Sequence, residues 1–406
     1  MKIVHINTVP NGSTGSIMLS IHKELQKLGH ESYVVWGRGR KSNRDNEIYM
    51  NDKVGVYLHV LYSRLTGKTG FASKISTKKL LKKLDEINPD IIHLHNIHGY
   101  YINIELLFNY IKNKKIKVIW TLHDCWPFTG HCTHYVCENC LKWQDKCDNC
   151  PLKESYPKSL LDASKNNYIM KKKLFTSVDN MILITPSKWL KDQVDKSFLK
   201  KYNSIVINNG IDTKVFKKKE SKRFRLKYNI DEKIILLGIA SPWVEKKGLK
   251  DLLMLNSIMD KEKFKLVLVG LSEKQVKELP DDIIKIKRTS NVEELVDIYN
   301  ESDYLINPTY EDNYPTINIE SIACGTPVIT YDTGGSPEII MNNSNGIVVK
   351  KTSNHFCKEN VMSLLDIINN AKINKNNMKH VCLLDIDKNN MINKYLNIYE
   401  KMVGDR

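Results

Sequence analysis

The chain has 406 residues, 41% hydrophobic and 27% charged, and carries a formal net charge of +16 at pH 7. Its length allows two domains with separate cores, and its composition is ordinary for a soluble globular protein. No apolar run in the sequence approaches the roughly 18 residues of a membrane-spanning helix. The first residues, M-K-I-V-H-I-N, are typical of a strand and not of a secretory signal, so we expect a cytoplasmic protein.

The first half alternates short apolar runs, typical of buried strands, with amphipathic segments, typical of helices. Strands are predicted at Ile3–Ile6, Ser32–Trp36, Ile91–Leu94, Val118–Leu122, Met181–Thr185 and Ser204–Asn208. Helices are predicted at Gly15–Leu28, Ser76–Ile87 and Ile104–Lys112. This alternation predicts a parallel, doubly wound sheet.

The second half repeats the pattern after a polar, lysine-rich stretch that begins near Asn209. Its predicted strands are Ile234–Ile239, Phe264–Val269, Ile283–Ile286, Tyr304–Asn307 and Val328–Tyr331, and its helices are Leu249–Met259 and Val292–Asn300. We therefore predict two α/β domains, at 1–209 and 210–386, with a cysteine-rich insert at 125–151 in the first.

The most informative segment is Tyr310–Pro337, which reads Y-E-D-N-Y-P-T-I-N-I-E-S-I-A-C-G-T-P-V-I-T-Y-D-T-G-G-S-P. Two acids, Asp312 and Glu320, flank the start of an apolar helix, and a glycine pair follows the next strand. Carboxylates accept hydrogen bonds from hydroxyls, and backbone N–H groups at helix starts bind oxyanions. The segment indicates a site for a polyhydroxylated ligand that carries phosphate.

This segment resembles the donor-binding segment of family 4 retaining glycosyltransferases, which use nucleotide-sugars and have the GT-B architecture. The family shows Glu-x7-Glu, then A-C-G-T-P-V, then G-G-x-x-E. Here Glu320 is the second acid, and A-C-G-T-P-V is intact at Ala323–Val328. Asp312 stands where the family has the first glutamate, with Glu311 beside it, so both remain candidates for the acid that contacts the sugar.

The resemblance implies a GT-B fold, with two Rossmann-like doubly wound domains facing a cleft and a helix in 387–406 that returns to the first domain. It implies that Glu320 binds the ribose and that Asp312 or Glu311 orients the sugar. The donor-binding backbone it implies comprises Asn313, Tyr314, Pro315 and Thr316.

Two further loops fit an anion-binding role. S-P-W-V-E-K-K-G resembles the family's G-R-x-x-x-x-K-G, with Lys247 in the lysine position and Lys246 as the candidate for the missing arginine charge. After the first strand, N-G-S-T-G-S contains Gly12 and Gly15, which allow close backbone approach to an anion, although many such turns carry glycine for the turn alone.

Histidines end two strands of the first domain. His123 lies in T-L-H-D, where ligands gather in doubly wound sheets and where the family places a histidine near the transferred sugar. His93 and His95 alternate and could bind a metal ion, but we favour inter-strand packing or acceptor contact. His98 is kept as an acceptor-side candidate.

Six cysteines lie between positions 125 and 150, with two C-x-x-C pairs, a spacing that fits a tetrahedral thiolate site. Reduced buried thiols are the alternative. The segment also resembles an insert of some capsule and exopolysaccharide transferases of the colanic-acid type, which implies a structural zinc ion. The ligands that it implies are Cys132, Cys140, Cys147 and Cys150, with Cys137 as the alternative.

We therefore expect a retaining glycosyltransferase that moves a sugar from a UDP- or GDP-sugar to a saccharide acceptor. The acceptor is expected to be lipid-linked, in bacterial surface polysaccharide biosynthesis. No Asp-x-Asp motif stands where one is expected, which favours metal-independent transfer. Because the net charge is +16, we also expect peripheral contact with the anionic inner face of a membrane.

Two alternatives use the same features differently. A sugar-nucleotide 2-epimerase has a similar architecture but different carboxylate and histidine motifs. A zinc-containing nucleic-acid-binding protein would explain the charge and the cysteines. The sequence has no aromatic RNA-binding motif or basic recognition helix, so we expect no nucleic-acid partner.

Overall fold

The computed structural model describes residues 1–42, 44–50, 52–230, 232–341, 344–370, 373 and 383–404. The chain divides into two compact units, Met1–Asn208 with Met391–Arg406, and Asn209–Asn390. Each unit has a sheet in which all paired strands are parallel, so the predicted α/β class with two doubly wound sheets is confirmed.

The strands and helices are numbered in chain order. The strands are β1 (Lys2–Asn7), β2 (Glu31–Trp36), β3 (Glu47–Tyr49), β4 (Ile91–Leu94), β5 (Lys117–Thr121), β6 (Met181–Thr185), β7 (Asn203–Val206), β8 (Ile234–Ile239), β9 (Phe264–Val269), β10 (Ile284–Ile286), β11 (Tyr304–Asn307), β12 (Val328–Tyr331) and β13 (Gly346–Val349). The helices are α1 (Gly12–Lys27), α2 (Lys53–Thr66), α3 (Lys74–Ile87), α4 (Ile104–Lys114), α5 (Ser164–Phe175), α6 (Lys188–Val194), α7 (Arg223–Lys227), α8 (Leu249–Ile258), α9 (Glu273–Glu278), α10 (Val292–Glu301), α11 (Thr316–Ala323), α12 (Lys358–Asn370), α13 (Leu383–Ile386) and α14 (Lys388–Gly404).

The strand order is β3-β2-β1-β4-β5-β6-β7 in the first unit and β10-β9-β8-β11-β12-β13 in the second. Apolar residues occupy both faces of the first sheet. Val4 and Ile6 belong to one core cluster, while Ile3 between them belongs to another. This two-sided burial explains why the strands read as continuous apolar runs in the sequence.

The last helix, α14, covers part of the first sheet. Its buried side chains include Met391, Tyr395 and Tyr399, which join the core cluster that contains Ile3. The Tyr399 hydroxyl lies 2.6 Å from His93 Nδ1, which ties the helix to β4. The chain leaves the first unit after Asn208 and returns to it through this helix.

Several elements have no counterpart among the sequence predictions. They are β3, β13, α2, α5, α6, α7, α9, α11 as a helix with defined bounds, α12 and α13. Two of them lack a normal buried apolar stripe. The buried residues of α2 are His59 and Ser63, and those of α5 include Asn167 and Lys171. Periodicity therefore gave no clear signal for α5, whereas the large apolar residues of α2 are periodic but mostly face outward. Among the described residues, none of the helices combines the length and apolarity needed to cross a bilayer.

Candidate functional site

Both sheets have a topological switch point, beyond which ligands of doubly wound folds bind at the carboxyl ends of the strands. In the second sheet it lies between β8 and β11, because β9 and β10 extend on one side and β12 and β13 on the other. The loops after these two strands carry the predicted lysines and acids, so the sheet order brings them together.

Two lysine–carboxylate pairs join these loops. Lys246 Nζ forms an ion pair with the Glu311 carboxylate, and Lys247 Nζ lies 2.6 Å from Asp312 Oδ2. The Glu311 side chain is 1% exposed, whereas those of the two lysines are 33% and 34% exposed. The acids therefore fix the ammonium groups from the protein side, and the ammonium groups keep an accessible side for an anion.

Two glycines allow the loops after β8 and β12 to approach the backbone of the loop after β11 closely. Gly248 has φ +74°, and a Cβ there would lie 2.2 Å from the Pro308 carbonyl oxygen. Gly334 has φ +57°, and a Cβ there would lie 1.9 Å from the Asp312 carbonyl oxygen. Both positions therefore require glycine, for the left-handed conformation and for the space.

The start of α11 presents the other donor-side residues. Pro315 precedes the helix with φ −69° and ψ 121°, and Thr316 is its first residue. Glu320 Oε2 accepts a hydrogen bond of 2.8 Å from the Tyr299 hydroxyl. Burial raises the pKa of Glu320, and hydrogen bonds to Tyr299 and Thr316 oppose this rise. The carboxyl group is thus held in one orientation on the helix.

The segment before α11 is largely buried. Asn313 and Tyr314 are 4% and 8% exposed, and the Tyr314 carbonyl accepts a hydrogen bond from Asn209 Nδ2 at 3.3 Å. Of the four residues predicted to line the donor, the side chains of these two face inward.

A buried amide network that the sequence analysis missed holds α11 in place. Asn318 Nδ2 donates to the Ser336 carbonyl and hydroxyl at 3.2 and 3.0 Å, and its Oδ1 accepts from Asn307 Nδ2 at 2.8 Å. The Thr330 hydroxyl lies 2.8 Å from that of Ser336. The signal that could have identified this network is Asn318, a polar residue between two isoleucines of the helix T-I-N-I-E-S-I-A.

Asp251 on α8 is a second missed residue. It is fully buried, and its Oδ1 accepts hydrogen bonds of 2.7 Å from the hydroxyls of Tyr310 and Tyr331. Burial raises the pKa of Asp251. Tyr310 precedes Glu311, so this buried carboxyl group positions the loop that carries both site acids.

In the first sheet the switch point lies between β1 and β4. The Thr8 hydroxyl donates to the carbonyl oxygens of Asn96 and His98, at 3.0 and 2.5 Å, and so links the two loops. A Cβ at Gly15 would lie 2.4 Å from the Pro10 carbonyl carbon. Gly12 has φ +72° and opens α1, so most of the predicted loop is the first turn of a helix.

His123 lies among other titratable side chains. Its Nε2 is 3.1 Å from His95 Nδ1, and burial lowers the pKa of His123 to about 4, so the ring is neutral near pH 7. His98 Nε2 is 2.7 Å from Asp124 Oδ2, and His98 Nδ1 is 3.2 Å from the Tyr156 hydroxyl. The burial of Asp124 favours a higher pKa, but His98 holds the pKa below its ordinary value. Asp124 was not among the predicted site residues, although it adjoins His123.

A buried histidine cluster lies beneath this group. Nitrogen atoms of His5, His93 and His95 lie within 4.8 Å of one another. The rings of His93 and His95 are 4.2 Å apart, and those of His5 and His93 are 5.0 Å apart. His93 also contacts the hydroxyls of Tyr399 and Thr121. The arrangement fits the expected inter-strand packing of His93 and His95.

Four thiols of the insert lie near one another. Burial and then the neighbouring Cys150, Cys147 and Cys140 raise the pKa of Cys132. The pKa of Cys147 is raised to about 12 and that of Cys150 to about 11, in both cases first by burial. The Gly130 N–H donates to Cys147 Sγ at 3.1 Å.

The sulfur atoms are less tightly grouped than zinc ligands. Four sulfurs around zinc, at Zn–S distances of about 2.3 Å, are roughly 3.8 Å apart. In the part of the chain that the structure describes, no three of the cysteine sulfurs lie within 4.8 Å of one another. The donor set fits zinc in chemistry, and binding would draw the sulfurs closer.

A buried lysine supports the insert. Lys171 on α5 is 1% exposed, and its Nζ donates to the carbonyls of Trp126 and Thr129 at 2.8 and 3.1 Å. The same Nζ is 3.3 Å from the centroid of the Trp126 ring. Burial lowers the pKa of Lys171, and the nearby Cys147 and Cys132 oppose this. From the sequence this residue is indistinguishable from the solvated lysines that follow it.

Comparisons with known families cover most of the chain. The family model described as "Glycosyltransferase Family 4" matches residues 14–215, and that described as "Glycosyl transferases group 1" matches residues 218–380. The two matches fall within the first and second units, respectively, apart from residues 209–215 at the boundary.

Two curated relatives and one solved structure extend the comparison. WcaC of Escherichia coli K12, named a colanic acid biosynthesis glycosyl transferase, is 23% identical over 374 residues, 84% of this chain and 85% of WcaC. The N,N'-diacetylbacillosaminyl-diphospho-undecaprenol alpha-1,3-N-acetylgalactosaminyltransferase of Campylobacter jejuni is 26% identical over 210 residues, 49% of this chain and 54% of that enzyme. HepE of Anabaena in complex with UDP and glucose has a TM-score of 0.67 and 14% identity, and the match covers 99% of this chain and 100% of HepE.

These matches and the two parallel sheets define a glycosyltransferase with the GT-B fold. The chain belongs to the family 4 glycosyltransferases. The epimerase and nucleic-acid-binding alternatives receive no support from these comparisons.

The close approach at Gly334 gives a test of the site's backbone. We expect Gly334→Ala to lower the Tm of the second unit by more than Gly325→Ala. Both glycines have positive φ, +57° and +79°, which costs alanine about 1–2 kcal/mol. At Gly325, however, the nearest atom to a Cβ is on the flexible Lys218 side chain, 3.3 Å away. Differential scanning calorimetry measures both, and equal losses would contradict the backbone contact.

Proposed function

We propose that the protein is a retaining glycosyltransferase that moves a sugar from a nucleotide diphosphate-sugar to a hydroxyl group of a saccharide acceptor. The carrying observation is the pair of lysine–carboxylate contacts, Lys246 with Glu311 and Lys247 with Asp312, at the switch point of the second sheet. A pyrophosphate needs cationic groups in fixed positions, and a sugar needs hydrogen-bond acceptors beside them.

Each donor-side residue has a proposed role. The two lysines neutralise the diphosphate, and Glu320 accepts hydrogen bonds from the ribose hydroxyls. Asp312 orients the sugar, because its side chain is 19% exposed whereas that of Glu311 is 1% exposed. The backbone from Asn313 to Thr316 assists. HepE, which shares the fold, is known in complexes with UDP and with UDP-glucose, which supports a nucleotide-sugar donor.

The proposed transfer keeps the configuration of the sugar. The bond from the anomeric carbon to the phosphate oxygen breaks as the acceptor oxygen bonds to that carbon on the same face. The acceptor proton passes to the departing phosphate oxygen. The lysines stabilise the charge that develops on the diphosphate, which is why we propose transfer without a catalytic metal ion. In the first unit, His123 acts on the transferred sugar, the backbone at Gly12 and Gly15 contributes to binding of the donor phosphate or of the acceptor, and His98 contributes to binding of the acceptor.

We propose a lipid-linked saccharide acceptor in bacterial surface polysaccharide biosynthesis, reached at the inner face of the membrane from the cytoplasm. The names of WcaC and of the Campylobacter relative, which specify colanic acid biosynthesis and a diphospho-undecaprenol-linked saccharide, support this acceptor class.

The phosphate contact can be tested by ligand binding. In a thermal-shift screen of UDP- and GDP-sugars, we expect at least one to stabilise the protein. We expect Lys247→Met to weaken binding of that donor roughly 10- to 100-fold, because a charge-assisted hydrogen bond contributes about 1.5–3 kcal/mol. Isothermal titration calorimetry measures the change. Lys250→Met is the matched control, since Lys250 pairs with Glu245 on the exposed surface. No binding of any nucleotide-sugar would overturn the function.

The ribose contact has its own test. We expect the wild-type protein to bind the nucleoside diphosphate more tightly than its 2′,3′-dideoxy analogue, and Glu320→Gln to lose most of this preference. The expected preference is about tenfold or more, because the dideoxy analogue removes the proposed hydrogen bonds of the ribose to a carboxyl group that then keeps only those to Tyr299 and Thr316. Glu293→Gln, an exposed substitution on α10, should keep it. A preference that survives in Glu320→Gln would assign the ribose to another residue.

We further propose that Cys132, Cys140, Cys147 and Cys150 hold a structural zinc ion. Zinc supplies a crosslink between segments of the insert and has no role in transfer. Three features support the proposal: Cys140, Cys147 and Cys150 each raise the pKa of Cys132, the Gly130 N–H donates to Cys147 Sγ, and the buried Lys171 side chain lies near Cys147 and Cys132. A lysine and an N–H donor suit such a site because a zinc ion with four thiolates is net negative.

Elemental analysis tests the zinc site. Protein purified without added metal should contain about one zinc ion per chain. Cys147→Ser should lose this zinc and lower the Tm, whereas Cys137→Ser, in the same insert, should retain it. Loss of zinc in Cys137→Ser would reassign the ligand set, and a folded, zinc-free wild-type protein would refute the site.

A further inference from the structure

Helix α2 turns two polar residues and the partly buried Val56 and Tyr62 toward the core of the first unit, and it leaves its other large apolar side chains at the surface. Its buried residues are His59 and Ser63. His59 Nδ1 lies 2.8 Å from the Ser73 hydroxyl, and His59 Nε2 accepts from the Gly70 N–H at 3.2 Å. Burial lowers the pKa of His59 to about 4, so the buried ring is neutral. The helix is therefore anchored by these polar contacts as well as by Val56 and Tyr62, which pack against the core.

The outward face of α2 is a continuous apolar stripe. Its members are Val54, Tyr57, Leu58, Leu61 and Leu65, which we call the α2 face, and they are between 49% and 77% exposed. Their spacing places them within an arc of about 100° on the helix surface. Isolated exposed apolar residues are ordinary, but a contiguous stripe indicates a binding surface.

Neighbouring segments extend the α2 face. Ile75 is 74% exposed and lines, with Leu58, a groove of about 450 Å³ between α2 and residues 71–75. Leu160 and Leu161 are 64% and 62% exposed, and the Leu160 N–H donates to the Arg64 carbonyl at the end of α2. The apolar surface thus continues beyond the helix at both ends.

The surroundings of the α2 face are strongly basic. Between residues 52 and 86 there are eight lysine or arginine residues and three acids. Asp52 is the N-cap of α2, where its Oδ1 accepts from the Gly55 N–H at 2.7 Å, Asp85 pairs with Lys114, and Glu86 pairs with Lys83. The basic residues are all exposed, and they are Lys53, Arg64, Lys68, Lys74, Lys78, Lys79, Lys82 and Lys83. Lys53 and Arg64 border the stripe on the side of Tyr57.

We propose that the α2 face docks on an anionic phospholipid surface. Aliphatic side chains with a tyrosine at their edge suit the boundary between headgroups and acyl chains, and the flanking lysine and arginine side chains attract acidic headgroups. A second copy of this chain would bring the same basic border against itself, so charge complementarity favours the lipid surface. The inference rests on the proposed function only for the lipid-linked acceptor, which the docked enzyme would meet at the membrane.

Vesicle flotation tests the proposal. The wild-type protein should bind vesicles of phosphatidylcholine and phosphatidylglycerol in equal parts, more weakly at high salt, and should bind vesicles of phosphatidylcholine alone much less. Leu58→Ser/Leu61→Ser should reduce the bound fraction about tenfold or more. The matched control is Leu28→Ser/Leu226→Ser, two leucines that are 53% and 74% exposed elsewhere. This control should bind like the wild-type protein.

Three outcomes would overturn the inference. Wild-type protein that ignores anionic vesicles at low salt would do so, as would equal losses in the two double variants. The third is a wild-type dimer that Leu58→Ser/Leu61→Ser converts to monomer without any vesicle binding, which would assign the face to self-association. Thermal shifts with the nucleotide-sugar panel separate this question from the proposed function. If the wild-type protein binds a nucleotide-sugar but no vesicles, only the docking surface is rejected. If it binds anionic vesicles but no nucleotide-sugar, only the donor site is rejected.

Discussion

The proposed donor site depends on one electrostatic constraint, which is that two ammonium groups are held in place by carboxylates that lie deeper in the protein. A buried carboxylate such as Glu311 is costly without a cationic partner. Lys246 supplies that partner only because the strand order places the loops after β8 and β11 side by side. Gly248 and Gly334 then remove the side-chain atoms that would keep the backbones apart. The ion pairs therefore depend on the strand order, which brings the loops together, and on the glycines, which leave room for the backbones.

The same topology serves different chemistry in the first unit. At its switch point the loops carry neutral imidazoles and a carboxylate, since burial lowers the pKa of His123 and Asp124 is paired with His98. Such groups exchange hydrogen bonds with hydroxyls and do not attract phosphate strongly. The contrast with the lysines of the second unit matches the two tasks of a glycosyltransferase, which must handle an acceptor hydroxyl and a leaving diphosphate.

The sequence predicted most strands and both sheets, and it selected the lysines and acids that the second sheet brings together, because buried parallel strands and glycine-bearing motifs leave strong local patterns. It did not predict Asp251, Asn318 or Lys171. Each of these is a polar side chain whose partners are distant in sequence, such as Tyr331 for Asp251 and Trp126 for Lys171. Local pattern cannot distinguish a polar residue that faces such partners from one that faces water, so the supports of the site became visible only in three dimensions.

Helices α2 and α5 both break the rule that apolar residues face the protein, but they differ in how the exception is compensated. On α5 the buried Lys171 finds two carbonyls, an aromatic ring and neighbouring thiols within the described chain. On α2 the buried His59 is similarly satisfied, yet the five outward apolar side chains remain about half to three quarters exposed. Hydrogen bonds can compensate a buried polar group internally, whereas exposed apolar area is relieved only by covering it. No such compensation is present for the α2 face within the described chain. The proposed docking on an anionic phospholipid surface supplies it, because that surface is apolar in its interior and attracts the basic residues around the helix.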